Sequence, residues 1–224
     1  MYIAELNREI ETEYVNGLIA FVDYARDVSK TDAVFDMSEA FRHTDSNKLA
    51  TEYMKSLPGV QHLIQERYLA ATPDLEAMLQ LPKDSLGYVY AYNMKEADFD
   101  PEFYRKIPVL DDTTYLALRI RQTHDIWHTV TSFDTDIAGE IGLQGFYLAQ
   151  THGPLSVAII SGFILNTLLK SSQDLNRVMN AMSQGYNMGI KAKPFLAQKW
   201  EESWEKPLAE WQAELGVEPV NSIC

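Results

Sequence analysis

The sequence predicts an all-α protein, folded as a compact multi-helix bundle in one domain over residues 1–224. Apolar residues recur at three- and four-residue steps along most of the chain, which is the period of a helix with one buried face. Turns that contain proline separate these periodic segments. With 224 residues, 46% of them hydrophobic, the chain is long enough to bury a sizeable core or to enclose a cavity.

The N-terminal half is predicted to contain one long helix followed by shorter ones. A single apolar stripe covers Ile3–Ala25, and shorter amphipathic segments cover Val34–Phe41 and Asn47–Ser56. The run Thr72-Pro73-Asp74 predicts a further helix that ends before Pro82. Threonine is a favourable N-cap, proline suits the first helical position, and aspartate is stabilised at the positive end of the helix dipole.

The C-terminal half is predicted to contain the longest helices. The alternating Tyr88, Tyr90 and Tyr92 are compatible with a strand, but the helical segments on both sides favour a helix. The run Asp111-Asp112-Thr113 predicts the start of a helix that continues through His128. The remaining helices are expected after a break at Asp134–Asp136, over Leu155–Lys170, over residues 172–192, and over an amphipathic C-terminal stretch, residues 195–216, that is interrupted at Pro207 and ends at Gly216.

The charge and the cysteine content disfavour several classes of function. The net charge is −13, and repulsion from phosphate groups makes general nucleic-acid binding unfavourable. Cys224 is the single cysteine, so the chain can form neither an internal disulfide framework nor a cysteine-rich zinc site. Any bound metal must therefore be held by histidines and carboxylates.

The sequence shows no targeting signal and no membrane-spanning segment. Its N-terminus is acidic, unlike a secretory signal or an arginine-rich transit peptide. The most apolar run, Leu155–Leu169, is shorter than the roughly 20 residues that span a bilayer. We therefore expect a protein that is soluble or peripherally attached to a membrane.

A motif of histidines and carboxylates in the second half of the chain is the candidate site. His124 and His128 lie at positions i and i+4 of a predicted helix, so both imidazoles can bind one metal ion. Glu140, on the next predicted helix, can reach the same ion. Asp125 lies about 100° round the helix from His124. It can bind the ion from the flank, or it can orient a histidine as a hydrogen-bond acceptor.

The donor set indicates the metal. Two nitrogens with one or two carboxylate oxygens suit Zn²⁺, Fe²⁺ or Mn²⁺ better than Mg²⁺, and we expect Zn²⁺ first. So few protein ligands leave a position open to water or substrate, as in catalytic sites. Two histidines at this spacing also arise by coincidence, so the spacing alone leaves a helix without metal as an alternative. A peptidase is not predicted, because Asp125 is one methylene shorter than the glutamate base of H-E-x-x-H enzymes.

Arg121 allows two interpretations of about equal weight. It lies three residues before His124 and four before Asp125, on the same side of the predicted helix. It can pair with a carboxylate or phosphate of a substrate. It can equally form an ion pair with Asp125 along the helix surface.

The apolar segments also allow two interpretations each. The Leu155–Leu169 helix is expected to be core, with the wall of a lipid pocket as the alternative. Trp200, Trp204 and Trp211 repeat at near-helical spacing, and burial in the core is the default for them. A dimer contact or a membrane-surface contact is the alternative.

The combined motifs resemble the signature of the Coq4 family of coenzyme Q (ubiquinone) biosynthesis proteins. That signature is H-D-x-x-H followed, after eleven residues, by E, and here residues 129–139 lie between His128 and Glu140. The other segments that resemble family motifs are Leu81-Pro82 with Ser85-Leu86-Gly87 and Tyr90, Tyr115 with Arg119 and Arg121, and the ending Trp200-Glu201-Glu202, Pro207-Leu208 and Glu214-Leu215-Gly216.

Two departures from the family pattern indicate a divergent bacterial member. Gln65-Glu66-Arg67-Tyr68 stands where the family often has an E-R-P run, and Ser132 stands where a glycine often follows the second histidine. Neither is one of the four expected ligands. We expect such a member to be cytoplasmic or peripheral to the inner face of a bacterial membrane.

The resemblance implies a metal-dependent protein of quinone biosynthesis. It implies a hydrophobic, lipid-sized cavity for a prenylated lipid, either a quinone precursor or a prenyl phosphate. The expected metal ligands and catalytic residues are His124, Asp125, His128 and Glu140, and the expected substrate-binding residues are Tyr115, Arg119 and Arg121.

Two functions follow from the resemblance and stay open here. The first is an enzyme that removes the ring carboxylate of a polyprenyl hydroxybenzoate oxidatively. The second is a non-catalytic scaffold that binds an isoprenoid lipid and organises other quinone-biosynthesis proteins. Both imply contact with a membrane surface, and a homodimer is expected.

Overall fold

The computed structural model describes residues 12–220, with side chains from residue 14 onward. Within this part of the chain the regular structure is helical, and the β-type pairing there is one isolated bridge between Ser85 and Pro207. The all-α prediction is confirmed. The α-helices of the described residues are α1 (Thr12–Arg26), α2 (Thr31–Phe41), α3 (Asp45–Ser56), α4 (Val60–Glu66), α5 (Leu75–Met78), α6 (Leu86–Glu96), α7 (Asp112–Gln122), α8 (His124–Thr131), α9 (Ile137–Thr151), α10 (Pro154–Lys170), α11 (Leu175–Lys191) and α12 (Leu208–Leu215).

Side-chain caps fix the starts of the helices that lead to the candidate site. The carboxylate of Asp111 accepts the Thr114 N–H at 2.8 Å, while the Thr114 hydroxyl accepts the Asp111 N–H at 2.9 Å. This reciprocal capping starts α7. Asp136 accepts the Gly139 N–H at 2.8 Å and starts α9. Both predicted helix starts are confirmed. The predicted first helix is confirmed from Thr12 onward, and its residues 3–11 lie outside the described part.

The segment around Pro73 forms less helix than the sequence predicts. Its N-cap is Asp74, which accepts the Ala77 N–H at 3.1 Å, and the helix has four residues. Thr72 is therefore wrongly predicted as the cap. Its hydroxyl instead donates to Glu102, at 2.6 Å and 30 residues away, and such a distant partner is invisible in a local pattern.

The helix predicted to run from Asp111 through His128 is divided at Thr123. The backbone there has φ −103° and ψ 3°, and the Thr123 hydroxyl donates to the Arg119 carbonyl oxygen at 2.8 Å. A threonine that bonds to the carbonyl four residues earlier often bends a helix. The bend makes His124 the first residue of a separate helix, α8.

The predicted amphipathic helix over residues 195–216 is wrong for most of its length. Two short 3₁₀ turns, Phe195–Ala197 and Trp200–Glu202, precede the eight-residue α12. Phe195 and Trp200 are wholly buried, with ring centroids 5.2 Å apart, so burial of these rings decides the backbone path here. The end of the prediction is confirmed, because Gly216 caps α12 in the left-handed conformation, at φ 70°.

Buried apolar side chains form two cores. The aromatic core surrounds Trp127, Phe146 and Trp200. The second, which we call the α1–α10 core, contains Tyr24 of α1 and Phe163 of α10. Helix α9 contributes to both cores, since Phe146 belongs to the first and Ile141, the residue after Glu140, belongs to the second.

Helices α9 and α11 pack backbone against backbone. A Cβ atom at Gly145 would lie 2.3 Å from the Met182 carbonyl oxygen, and one at Gly185 would lie 1.8 Å from the Gly142 carbonyl oxygen. No side chain fits at these distances, so glycine is needed at both positions. This packing fixes the position of the helix that carries Glu140.

Helix α10 has one buried face and one exposed apolar face. Ile160 and Phe163 are buried in the α1–α10 core, as the core interpretation predicts. Leu168 and Leu169, however, are 49% and 79% exposed. An open groove of about 1220 Å³ lies beside α1 and α2, and it is lined by several carboxylates rather than by α10. The hydrophobic, lipid-sized cavity stays a prediction.

Membrane spans were predicted to be absent. Among the helices of residues 12–220, none combines the length and the apolarity that crossing a bilayer requires.

Candidate metal centre

The start of α8 and the first turn of α9 bring three predicted ligands together. His124 and His128 lie one helical turn apart on α8, and Glu140 follows after the turn at residues 132–136. One ligand atom from each of the three side chains lies within 4.8 Å of the others. Ser132 makes the turn in the left-handed conformation, at φ 60°. The centre lies where the two cores meet.

The carboxylate of Glu140 faces both histidines. Its Oε1 lies 3.2 Å from His128 Nε2, and its Oε2 lies 4.0 Å from His124 Nε2. The imidazole rings are edge-on to each other, with centroids 4.8 Å apart. Each carboxylate oxygen is thus paired with one Nε2 atom, which is the arrangement that converges on a single ion.

The surroundings of His128 leave its Nε2 atom for a ligand. The ring is 6% exposed, and Nδ1 lies 2.9 Å from the Phe133 carbonyl oxygen. A carbonyl oxygen can only accept, so Nδ1 carries the proton and donates it. Nε2 is buried and has no hydrogen-bond partner within residues 12–220. A buried acceptor that lies 3.2 Å from a carboxylate needs a cation between them, and this fits a metal ligand.

The same contacts shift the pKa values of the three side chains. Burial and the neighbouring His128 lower the pKa of His124, whose side chain is 34% exposed. Burial would lower the pKa of His128, but contact with the charged Glu140 outweighs it and raises this pKa. Burial would raise the pKa of Glu140, and the two histidines outweigh that effect and lower it. His128 and Glu140 are therefore arranged to share one cation, either a proton or a metal ion.

Asp125, the fourth predicted ligand, is not part of this cluster of converging atoms. Its side chain is partly exposed, and its charge raises the pKa of buried Tyr147, after the larger effect of burial. Asp125 thus lies beside the centre, and its role as a direct ligand stays a prediction.

Arg119 does not have the substrate-binding arrangement that the sequence predicts. Its side chain is 1% exposed and forms a two-pronged ion pair with Glu201, at 2.7 Å and 3.3 Å. The guanidinium also lies over the ring of Tyr68, 5.3 Å from the centroid. Arg119 therefore ties α7 to the C-terminal segment, because a buried arginine requires a charged partner.

The side chain of Arg121 contacts other residues of the chain. Arg121 donates to the Arg105 carbonyl oxygen at 3.0 Å and lies over the Phe35 ring, 4.7 Å from its centroid. Burial and the charge of Arg42 lower the pKa of Arg121 to about 10. The ion pair with Asp125 is not formed within the described residues, and the pairing of Arg121 with a substrate stays a prediction.

Tyr115 is wholly buried in the aromatic core. Its hydroxyl donates to the carbonyl oxygens of Leu63 and Tyr68 at 3.0 Å and 2.9 Å. Its contacts hold α4 and the segment after it against α7, and its role as a substrate-binding residue stays a prediction.

The sequence-based prediction missed two groups beside the centre. The Phe133 carbonyl group orients His128, and backbone groups leave no sequence signal. Tyr147 lies next to His124, with its hydroxyl 3.4 Å from Nδ1. The signal that could have found Tyr147 is its spacing of seven residues from Glu140, which places both on one face of α9.

Comparison with known proteins agrees with the motif. The family described as "Coenzyme Q (ubiquinone) biosynthesis protein Coq4" matches residues 8–221. A crystal structure from Nostoc punctiforme, whose description as a ubiquinone biosynthesis protein is provisional, has a TM-score of 0.83 and 38% sequence identity. That match covers 92% of this chain and 98% of the Nostoc chain.

Two relatives come from eukaryotes. The "Ubiquinone biosynthesis protein COQ4 homolog, mitochondrial" of Anopheles gambiae is 27% identical over 172 residues, which are 74% of this chain and 60% of that protein. The yeast protein "Ubiquinone biosynthesis protein COQ4, mitochondrial" is 28% identical over 145 residues, which are 64% of this chain and 43% of that protein. This chain thus spans about half of the length of these relatives. From the match over residues 8–221, the chain belongs to the coenzyme Q (ubiquinone) biosynthesis protein Coq4 family.

Proposed function

We propose that this chain binds a divalent metal ion through His124, His128 and Glu140 and uses it to hold the anionic head of a prenylated lipid in ubiquinone biosynthesis. The observation that carries the proposal is the buried, unpartnered Nε2 of His128, 3.2 Å from Glu140. Asp125 is proposed as a further ligand or as an orienting group. Family membership supports the ubiquinone context.

The donor set supports a Lewis-acid role. Two imidazole nitrogens and one carboxylate suit Zn²⁺ first and also Fe²⁺ or Mn²⁺, and they leave coordination positions for a substrate. A metal ion so held would bind a carboxylate or phosphate and stabilise negative charge that develops on it. The partial exposure of His124, 34%, supports entry of the head group from that side.

The arginines change how the head group is proposed to bind. Arg119 is paired with Glu201, so its guanidinium already has a carboxylate partner. Arg121 lies over Phe35 and donates to the Arg105 carbonyl oxygen, while its buried Nη2 has no hydrogen-bond partner within residues 12–220. We propose that the metal ion is the main partner of the substrate carboxylate. The reaction class that we propose is the oxidative decarboxylation of a polyprenyl hydroxybenzoate. The bond between the ring and the carboxylate breaks, carbon dioxide leaves, and the ring carbon gains a hydroxyl group from water. The two electrons pass to dioxygen as the oxidant, which is reduced to hydrogen peroxide.

A second candidate function is a scaffold without catalysis. It is favoured by the exposed apolar side chains of α1 and α10, such as Leu18 at 60% and Leu169 at 79% exposure. Apolar patches of this kind commonly mark contacts with proteins or membranes. On this proposal the metal anchors the lipid head, while other quinone-biosynthesis proteins, a membrane surface or a second copy of the chain covers the apolar faces.

Analysis of the metals and lipids that copurify with the native chain tests the shared part of both candidates. We expect a stoichiometric divalent metal and a prenylated lipid in the unaltered protein, and loss of both in His128→Ala. The matched control is His62→Ala, since His62 also contacts a glutamate, Glu66 at 2.9 Å, but on the exposed surface of α4. Unaltered protein without metal, or His128→Ala with full metal content, would contradict the proposal.

Quinone synthesis in a host that lacks the chain separates the two candidates. If the chain is an enzyme, Glu140→Gln that is folded and abundant should fail to restore quinone. If it is a scaffold, its assembly with other proteins depends on the apolar faces more than on the lipid that the metal holds, and the same variant should restore a large part of the synthesis. Circular dichroism and immunoblotting of the variant confirm that a failure reflects the site and not loss of the protein.

A further inference from the structure

Tyr147 lies on the opposite side of the His124 ring from Glu140. The Glu140 carboxylate faces Nε2, and the Tyr147 hydroxyl faces Nδ1. The Tyr147 hydroxyl is 3.4 Å from His124 Nδ1, and the two rings are nearly parallel, at 11°, with centroids 5.9 Å apart. Nδ1 and Nε2 are the two nitrogens of one imidazole, so a partner that accepts the Nδ1 proton leaves the lone pair on Nε2. Tyr147 is therefore placed to control the tautomer of His124.

Packing holds Tyr147 in this position. Its ring is 4% exposed and stacks on Trp127, with centroids 4.4 Å apart and planes at 15°. Trp127 is itself wholly buried and meets Phe146 and Phe195 edge-on, at 5.7 Å and 5.2 Å. The phenol thus has aromatic contacts that prevent it from turning away from the imidazole.

We propose that Tyr147 is a positioning residue of the metal centre, whose hydroxyl oxygen accepts the Nδ1–H of His124 and so keeps Nε2 unprotonated and directed at Glu140. This inference rests on the proposed function, because it concerns the same site. It parallels the arrangement at His128, where the Phe133 carbonyl oxygen accepts from Nδ1 at 2.9 Å. In each histidine, Nδ1 then donates to a hydrogen-bond acceptor and Nε2 is left as the ligand atom, as is usual for metal-binding histidines.

The variant Tyr147→Phe removes the hydroxyl and keeps the ring that stacks on Trp127. Loss of a group that orients a metal ligand typically weakens metal binding by about 10- to 100-fold. The contact of 3.4 Å is long for a hydrogen bond, so we expect the lower end, about tenfold weaker Zn²⁺ binding. Competition with a chromophoric chelator measures the affinity of the full chain.

The tautomer of His124 is a second readout that needs no metal. In the metal-free chain with ¹⁵N-labelled histidine at pH 8, nitrogen chemical shifts report which ring nitrogen carries the proton. We expect the Nδ1–H tautomer for His124 in the unaltered protein and a shift towards Nε2–H in Tyr147→Phe. A change in packing without loss of the hydrogen bond would not move this equilibrium.

Tyr115→Phe is the matched control, because it removes another buried hydroxyl, one that donates to the carbonyl oxygens of Leu63 and Tyr68. We expect it to lower stability and to leave Zn²⁺ affinity and the His124 tautomer unchanged. If the unaltered chain does not bind Zn²⁺, the proposed metal site is contradicted, and the tautomer still decides the role of Tyr147.

The role of Tyr147 is overturned if His124 is predominantly Nε2–H in the unaltered protein, or if Tyr147→Phe binds Zn²⁺ as tightly as the unaltered chain. The first measurement is made on the unaltered protein, so it remains decisive even if Tyr147→Phe fails to fold.

Discussion

The aromatic core and the α1–α10 core meet at the candidate metal centre but differ in how completely they are covered. Around the aromatic core, Trp127, Tyr115 and Arg119 are buried, and the last two find hydrogen-bond or ion-pair partners inside the chain. Beside the α1–α10 core, Leu18 and Leu169 point into solvent. The comparison shows that the aromatic core provides Tyr115 and Arg119 with partners within the chain, whereas helices beside the α1–α10 core leave apolar side chains exposed.

The largest expected effect concerns the aromatic core. Trp127→Ala removes a wholly buried ring that contacts Phe146, Tyr147 and Phe195. Substitution of a buried tryptophan by alanine costs about 3–5 kcal/mol of unfolding free energy. Denaturant unfolding of the metal-free chain measures it. A loss below about 1 kcal/mol would show that this core is not the rigid support described above.

The next effect concerns the buried ion pair between Arg119 and Glu201. Glu201→Ala leaves the arginine buried without its partner, and we expect a loss of about 3 kcal/mol in unfolding free energy. The double variant Arg119→Leu with Glu201→Leu removes both charges, and it should recover most of that loss. A double variant that is less stable than Glu201→Ala would contradict this account.

A smaller effect on the unfolding free energy is expected when the pH of the metal-free protein is changed. The pKa of His128 is raised on folding, so its stabilisation is complete below its unfolded pKa of about 6.5 and is lost as pH rises through the folded value. The pKa of Glu140 is lowered, so its stabilisation is present above about pH 4.3 and is lost as pH falls.

The stability that His128 and Glu140 contribute should therefore be greatest between about pH 4.3 and 6.5 and should decline towards pH 8. Unfolding free energies measured with a chelator at pH 6 and pH 8 test this, with Glu140→Gln as the control that should reduce the difference. Saturating Zn²⁺ should reverse the trend, because metal binding displaces the proton. A metal-free protein that gains stability from this pair between pH 6 and pH 8 would contradict the arrangement.

A modest gain in unfolding free energy is expected from one substitution in the turn before Glu140. Ser132 has φ 60°, a conformation that glycine adopts with little strain. Ser132→Gly should therefore raise the unfolding free energy by about 0.5–1 kcal/mol, less the entropy that glycine adds to the unfolded chain. The same substitution at exposed Ser29 in the α1–α2 connection, which has an ordinary negative-φ backbone, is the control and should bring no gain.

The smallest expected change in stability concerns the outer face of α10. Leu169→Ser alters a side chain that is 79% exposed, so the unfolding free energy should change by less than about 0.5 kcal/mol. Binding of a fluorescent dye that detects apolar surface should decrease. Phe163→Ala, on the buried face of the same helix, should instead cost about 3–5 kcal/mol. Equal losses for the two variants would remove the distinction between the faces.

Features that depend only on residues close together in the sequence could be predicted from it. The caps at Asp111 and Asp136, the end at Gly216 and the histidine pair on α8 are local patterns, and each was correct. The path of residues 195–207 was not predictable from local patterns, because Phe195 is buried against Trp127 of α8 and Trp200 against Trp211 of α12.

The orientation of the two arginines illustrates the same limit within the candidate site. Arg119 finds its carboxylate 82 residues later in the chain, and Arg121 finds its aromatic partner on α2. Helical spacing places both near His124, yet it does not say towards which neighbour a long side chain turns. The proximity of His124 and His128 was predictable, because short, stiff imidazoles at i and i+4 have few directions open to them.

The glycine contact between α9 and α11 has a consequence for mutational surveys. In a scan of all substitutions scored by growth on quinone-dependent respiration, Gly145 and Gly185 should tolerate almost nothing, although neither carries a reactive group. Their intolerance would look like that of the proposed metal ligands. Protein abundance would distinguish the two classes, because a ligand variant persists as an inactive chain whereas a variant at the helix crossing is degraded.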